Sequence, residues 1–115
     1  MNSDDAIRLR HMLDAAREAV AFAQGRIRAD LRIDRQLALA LVKDIEIVGE
    51  AAGAVTDSTR VELTDIPWQE IIAMRNRLIH AYFDVNLDLV WQTIQQDLPS
   101  LIASLEQALR RFGDA

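Results

Sequence analysis

Apolar residues recur at three- and four-residue steps through most of the chain, the period of helices with one buried face. Leu9, Met12, Leu13, Ala16, Val20 and Ala23 predict a first helix from Ser3 or Asp4 to Gln24. Ser3 or Asp4 is the expected N-cap, and Gly25 the expected stop. Leu37, Leu41, Ile45, Val48, Ala52 and Val55 predict a second helix from Asp34 to Val55. Gly49 and Gly53 share one side of that helix. Each costs about 1 kcal/mol against alanine, so close approach of a neighbouring helix is expected there.

Thr56 to Asp65 is polar and reads as a connection with a short helical turn. Ile66-Pro67-Trp68 starts a third helix, because proline suits the first helical position. It runs to about His80, with Trp68, Ile71, Ile72, Met74, Leu78 and Ile79 apolar. Asp84 or Asn86 caps a last helical region that reaches Phe112. There Leu87, Trp91, Ile94, Leu98, Leu101, Leu105, Ala108 and Phe112 alternate in steps of four and three. Pro99 must kink or split this region, and a seam that keeps phase across it predicts a kink. Short links make neighbouring helices antiparallel, so the fold expected is an all-α, antiparallel four-helix bundle, with residues 1–115 as a single domain.

Composition narrows the chemistry. There is no cysteine in the 115 residues, which excludes disulfide scaffolds, thiol catalysis and Cys-ligated zinc and fits a cytoplasmic protein. No stretch approaches the roughly 20 apolar residues that span a bilayer, so no membrane role is expected. A net charge of −5 opposes non-specific coating of nucleic acid. An activity on nucleic acid would need a local positive cleft, one that two subunits could assemble.

The third helix ends in Met74-Arg75-Asn76-Arg77-Leu78-Ile79-His80-Ala81-Tyr82, which gathers two arginines, an amide, a histidine and the single tyrosine. At about 100° per residue Asn76 and His80 share a face, whereas Arg75 and His80 stand about 140° apart. Arg75 and His80 converge only if the arginine arm bends round, the helix distorts or a second subunit contributes. One reading is RNA strand cleavage without metal. Histidine moves the protons, arginine stabilises the phosphate charge, and Asn76 orients the histidine or the phosphate. Its products would be a 2′,3′-cyclic phosphate and a 5′-hydroxyl. Taken singly, the same residues also fit a helix end, with His80 easing exposed carbonyls and the arginines covering apolar surface. Glu46 and Glu50 share a helix face but read as solvated or salt-bridged, so neither a metal nor a cofactor is expected. Trp68 and Trp91 read as core or interface anchors and His11 as a surface residue.

The string Arg75-Asn76-x-Leu78-Ile79-His80-x-Tyr82 resembles the signature of HepT-like toxins of the HEPN superfamily. Glu46-Ile47-Val48-Gly49-Glu50-Ala51-Ala52, Ile66-Pro67-Trp68, Asp84-Val85-Asn86 with Val90-Trp91, and Asp97-Leu98-Pro99-x-Leu101 follow the same family in order. The resemblance covers nearly the whole chain, with no departure at the motif positions. It implies a helical bundle that dimerises so that two motifs line one cleft, and a toxin acting as an endoribonuclease. Arg75 and His80 match the catalytic pair and Asn76 the accompanying polar residue. Arg77 is a supporting residue, and Glu50 is placed to hold an arginine of the motif. The resemblance also implies an MntA-like minimal nucleotidyltransferase antitoxin that transfers AMP to the motif tyrosine, Tyr82 here. Bulk and negative charge added beside the phosphate site would block RNA. The alternative reading is a non-catalytic module whose cleft binds nucleotide or positions the partner enzyme.

Overall fold

Short polar side chains set where the helices begin. In the computed structural model, which describes residues 1–80 and 86–112 and their side chains except those of Ile79 and His80, α1 spans Ser3–Phe22. Its N-cap is Asn2 rather than Ser3 or Asp4: Asn2 has extended backbone, and its Oδ1 accepts from the Asp5 amide at 2.7 Å. A cap must stand outside the helical turn to reach that amide, and Ser3 is already helical. Asp5 turns inward instead and ties α1 to the start of α4 (Asp57–Glu62). Its carboxylate accepts from the Thr56 amide and from the hydroxyls of Thr56 and Thr59. The helix ends as expected near Gly25, which turns the chain with φ +73°.

Between Gly25 and Asp34 lies α2 (Asp30–Ile33), one turn that the apolar pattern did not predict. Asp30 accepts from the Ile27 amide, and Arg26 pairs with both Asp30 and Asp34. Asp34, where the second helix was expected to start, caps α3 (Arg35–Ala54) by accepting from the Leu37 amide. At its far end Arg60 donates to the carbonyls of Ala52 and Gly53, and its guanidinium lies 5.8 Å from the centre of the Trp68 ring. This arginine closes α3 and holds the start of α5 (Trp68–His80) beside it.

The last region begins as α6 (Leu87–Gln92), with Asn86 as cap; the other candidate, Asp84, lies outside the described residues. It passes through a π-helical turn at Thr93–Asp97 into α7 (Leu98–Arg111). The expected simple kink at Pro99 is thus a π turn just before it, in which the Leu98 amide reaches back to the Thr93 carbonyl. Widening the turn accommodates a proline that has no amide to donate and a ring that crowds the preceding turn. The wider turn also rotates what precedes it. The buried line runs through Val90, Ile94 and Leu98, and Trp91 is only half-buried. The seam therefore does not hold one phase across the region.

The bundle has four long helical members, α1, α3, α5 and the composite α6–α7, with α2 and α4 as single short additions. Helix α1 packs between α3 and α7, and α3 carries α5 on its other side. The core is one cluster in which Leu9, Met12, Leu13, Leu41, Ile94 and Leu105 are almost completely buried. Burial of such side chains contributes about 1.5–3 kcal/mol each and is the main term holding the helices together. Among the described residues, no helix is long and apolar enough to cross a membrane.

One polar group sits against this logic. Asp44 lies on the buried stripe of α3 at 2% exposure, and its Oδ2 has no hydrogen-bond partner. Burial first, then the hydrogen bond and charge of Glu18 on α1, push its carboxyl up to about 7. The unfolded chain holds that proton only below the ordinary value of 3.8, so the folded state binds it more tightly in between. The stability it supplies is complete below about pH 4, declines as pH rises towards 7 and is gone above. Asp44→Asn should therefore raise Tm at pH 8 by ~5 °C and by clearly less at pH 5. Thermal unfolding of both proteins at the two pH values checks this, and parallel pH curves would contradict it.

Candidate active site

The residues of the motif stand on α5, and their positions follow from how that helix is anchored. Trp68 is buried at its start, with the indole nitrogen donating to the Leu63 carbonyl at 3.0 Å. Leu78 is buried near its end. Between them Ile71, Ile72 and Met74 are only half-buried, because α5 leans on α3 while α7 stays apart. The space left is a groove of about 730 Å³ floored by Val48, Ile71, Met74 and Leu98. Glu70, Arg77 and Asp97 line its polar edge.

Arg75, about 100° round the helix from Met74, sets its Cβ and Cγ into the contact with α3. The side chain passes directly over Gly49, where a β-carbon would stand 2.2 Å from Arg75 Cβ. The close approach expected of the two glycines thus occurs at Gly49, whereas Gly53 has nothing within 4 Å of the same position. Beyond this contact the guanidinium bends round the helix. Its Nη1 donates to Asn76 Oδ1 at 3.1 Å, while its Nε is buried without a partner. Asn76, through Oδ1, is thus the acceptor for the arginine tip. Its amide NH2 remains to donate. His80 is the last residue of α5 and lies one helical turn beyond Asn76, on the same face by helix geometry.

Arg77 is exposed at the edge of the groove, with Nη2 4.0 Å from Met74 Sδ. Glu50 is exposed on α3 and, among the described residues, makes no ion pair with Arg75 or Arg77. Tyr82 lies outside the described residues. His11 is exposed, as expected. Among the described residues no group of His, Asp and Glu gathers as a metal site.

The electrostatics hold a feature that the net charge hides. A second groove, of about 660 Å³, runs where α2 and α3 meet the end of α5 and the start of α6. Arg32, Arg35 and Lys43 line it against one acid, Glu46, with Leu78 and Leu87 at its α5 and α6 side. Arg32 and Arg28 also reach Asp88, which fastens α2 to α6. Among the described residues, with Arg32 held by Asp88, the positive character of this groove at the end of α5 rests on Arg35 and Lys43 beside Glu46. Sequence reading missed it, although Arg35, Leu39, Val42, Lys43 and Glu46 recur at helical spacing and could have revealed a mixed basic and apolar stripe.

The chain is an all-helical bundle whose third long helix carries Arg75 and ends at His80. Residues 12–108 match the family described as Ribonuclease HepT-like. The chain belongs to that family. It is 36% identical over 78 residues to a candidate ribonuclease HepT of Thermococcus cleftensis, covering 68% of this chain and 71% of that one. It is 33% identical over 103 residues to a candidate RNase of Caldanaerobacter subterraneus subsp. tengcongensis, covering 90% and 92%. No solved structure matches the chain.

Proposed function

We propose that this chain is the toxin of a type VII toxin–antitoxin pair, a homodimeric, cytoplasmic endoribonuclease that cuts RNA without metal at Arg75, Asn76 and His80. The observation that supports this most is the turn of Arg75 onto Asn76, one helical turn before His80. A phosphate at that end of α5 meets a planar donor fork and an imidazole together. His80 takes the 2′-hydroxyl proton as the 2′-oxygen attacks phosphorus, then returns a proton to the departing 5′-oxygen. Imidazole suits both steps because it ordinarily titrates near ~6.5. Arg75 faces the charge that grows on the phosphoryl oxygens. The bond broken is P–O5′, leaving a 2′,3′-cyclic phosphate and a 5′-hydroxyl. The groove that carries Arg35 and Lys43 supports RNA as the ligand, since it gives a polyanion a path to this end of α5.

The uncovered apolar face of α5 supports the dimer. Met74 and Ile71 floor an open groove, and its edge carries both Arg77 and the acids Glu70 and Asp97. A two-fold arrangement sets each Arg77 against the partner's acids, so the same patch serves both copies. It also brings two motifs towards one cleft. An MntA-like nucleotidyltransferase neutralises the toxin: Tyr82 oxygen bonds to the α-phosphorus of ATP, its proton is lost and pyrophosphate leaves. The attached AMP then occupies the phosphate site with negative charge.

Three outcomes test this. With chelator present, wild type should cut RNA, while folded Arg75→Ala and His80→Ala lose ~10²–10⁴-fold in rate. Equal cleavage by all three would remove the site from the mechanism. Sedimentation should give a dimer for wild type and a monomer for Met74→Glu, and a wild-type monomer would exclude the two-copy cleft. Co-expression with the nucleotidyltransferase should add mass in AMP steps to wild type but not to Tyr82→Phe, and an unchanged wild-type mass refutes the modification.

A further inference from the structure

We infer that Gly49 is a positioning residue for the reaction, the notch in α3 that fixes where the Arg75 guanidinium stands. The inference rests on Arg75 acting on the phosphate, and it names a residue that touches neither substrate nor reacting atoms.

A β-carbon at position 49 would lie 2.2 Å from Arg75 Cβ, 2.8 Å from Arg75 Cγ and 3.3 Å from the Ile71 carbonyl oxygen. Non-bonded carbons rest at about 3.5–4.0 Å, so the first two contacts cannot be borne. Rotating the arginine can move Cγ but does not relieve the first contact, because Arg75 Cβ is fixed by the backbone of α5. The helices themselves must separate, by roughly 1 Å at this point. Glycine at 49 is therefore what allows α5 to sit this close to α3. The same seat decides the far end of the side chain. With Cβ and Cγ held over Gly49, the arm emerges with Nε buried and Nη1 on Asn76, towards the face of His80. A buried Nε without a partner is a donor kept dry by this packing. An arginine displaced from the notch would expose Nε to water and release Asn76.

Gly53 provides the internal control. It lies one turn along the same helix, yet a β-carbon there meets nothing within 4 Å. Loss of glycine flexibility in α3 is common to both substitutions, and only position 49 bears on Arg75.

The test compares Gly49→Ala, Gly53→Ala, Arg75→Ala and the double variant Gly49→Ala/Arg75→Ala, with RNA cleavage rates taken per folded molecule. Gly53→Ala should cleave at the wild-type rate. Gly49→Ala should lose ~10–100-fold in kcat, with KM changed far less, as expected when a group acting on the transition state is misplaced by about 1 Å. In the Arg75→Ala background the same substitution should cost no further activity, since it acts through a group already removed. If Gly49→Ala does not fold in buffer, rates are read in trimethylamine N-oxide, and Gly49→Ala/Arg75→Gly, which removes the Arg75 β- and γ-carbons that the added methyl would meet, should fold without it. Failure of that double variant to fold better than Gly49→Ala would overturn the contact. Wild-type kcat in folded Gly49→Ala, with Arg75→Ala impaired, would overturn the positioning role alone. Should Arg75→Ala itself be fully active, the nuclease reading fails instead. The seat is then judged from the Arg75 Nε–H resonance, which must shift in Gly49→Ala and stay in place in Gly53→Ala.

Discussion

The contact between the Gly49 backbone and the Arg75 β-carbon is the constraint on which the candidate site depends. Helix pairs usually rest on interdigitated side chains, at axis separations of about 8–10 Å. In this pair one helix gives up a side chain so that a charged residue of the other can lie against it. The arginine is held at its base by packing and at its tip by Asn76, with a buried donor between. Few degrees of freedom remain to such a side chain. Pre-set charge of this kind is what phosphate chemistry requires, because reorganising dipoles during the reaction raises the barrier.

That close seat has a consequence on the other flank of α5. Leaning on α3, the helix turns Ile71 and Met74 to a groove that α7 does not fill. The open groove, the charged edge and the motif at the end of the same helix make sense together if a second copy completes the surface. The fully buried core is drawn chiefly from α1, α3 and α7, while Ile71, Ile72 and Met74 of α5 are only half-buried.

Much of this was legible in the chain. The apolar stripe of α3 from Leu37 to Val55 is buried at every position named from its period, and Asp34, where the helix was expected to start, caps it. The cap of α1 falls one residue before the expected pair, because Asn2, Ser3 and Asp4 are all competent and local sequence does not rank them. The π turn has no residue signal beyond Pro99, and one added residue was enough to move burial from Trp91 to Val90. Arg75, Asn76 and His80 stood out from their clustering. The seat of Arg75 did not, since it depends on how closely two helices pack. Gly49 and Gly53 look equivalent in sequence, and only the packing separates the one that is needed from the one that is not. Asp44 does carry a signal in the chain: it sits between Leu41 and Val48 on the buried stripe, where a carboxylate is out of place.

The central claim is that the guanidinium of Arg75 and the imidazole of His80 serve one phosphate. It is tested most directly by titrating isotopically labelled protein with an RNA made uncleavable by 2′-deoxy substitution, following the Arg75 Nε–H and His80 ring resonances together. Both signals should move with a single midpoint as the RNA binds. Movement of one while the other stays unchanged at saturation would mean that the two groups face different ligands, and a shared phosphate site would be ruled out.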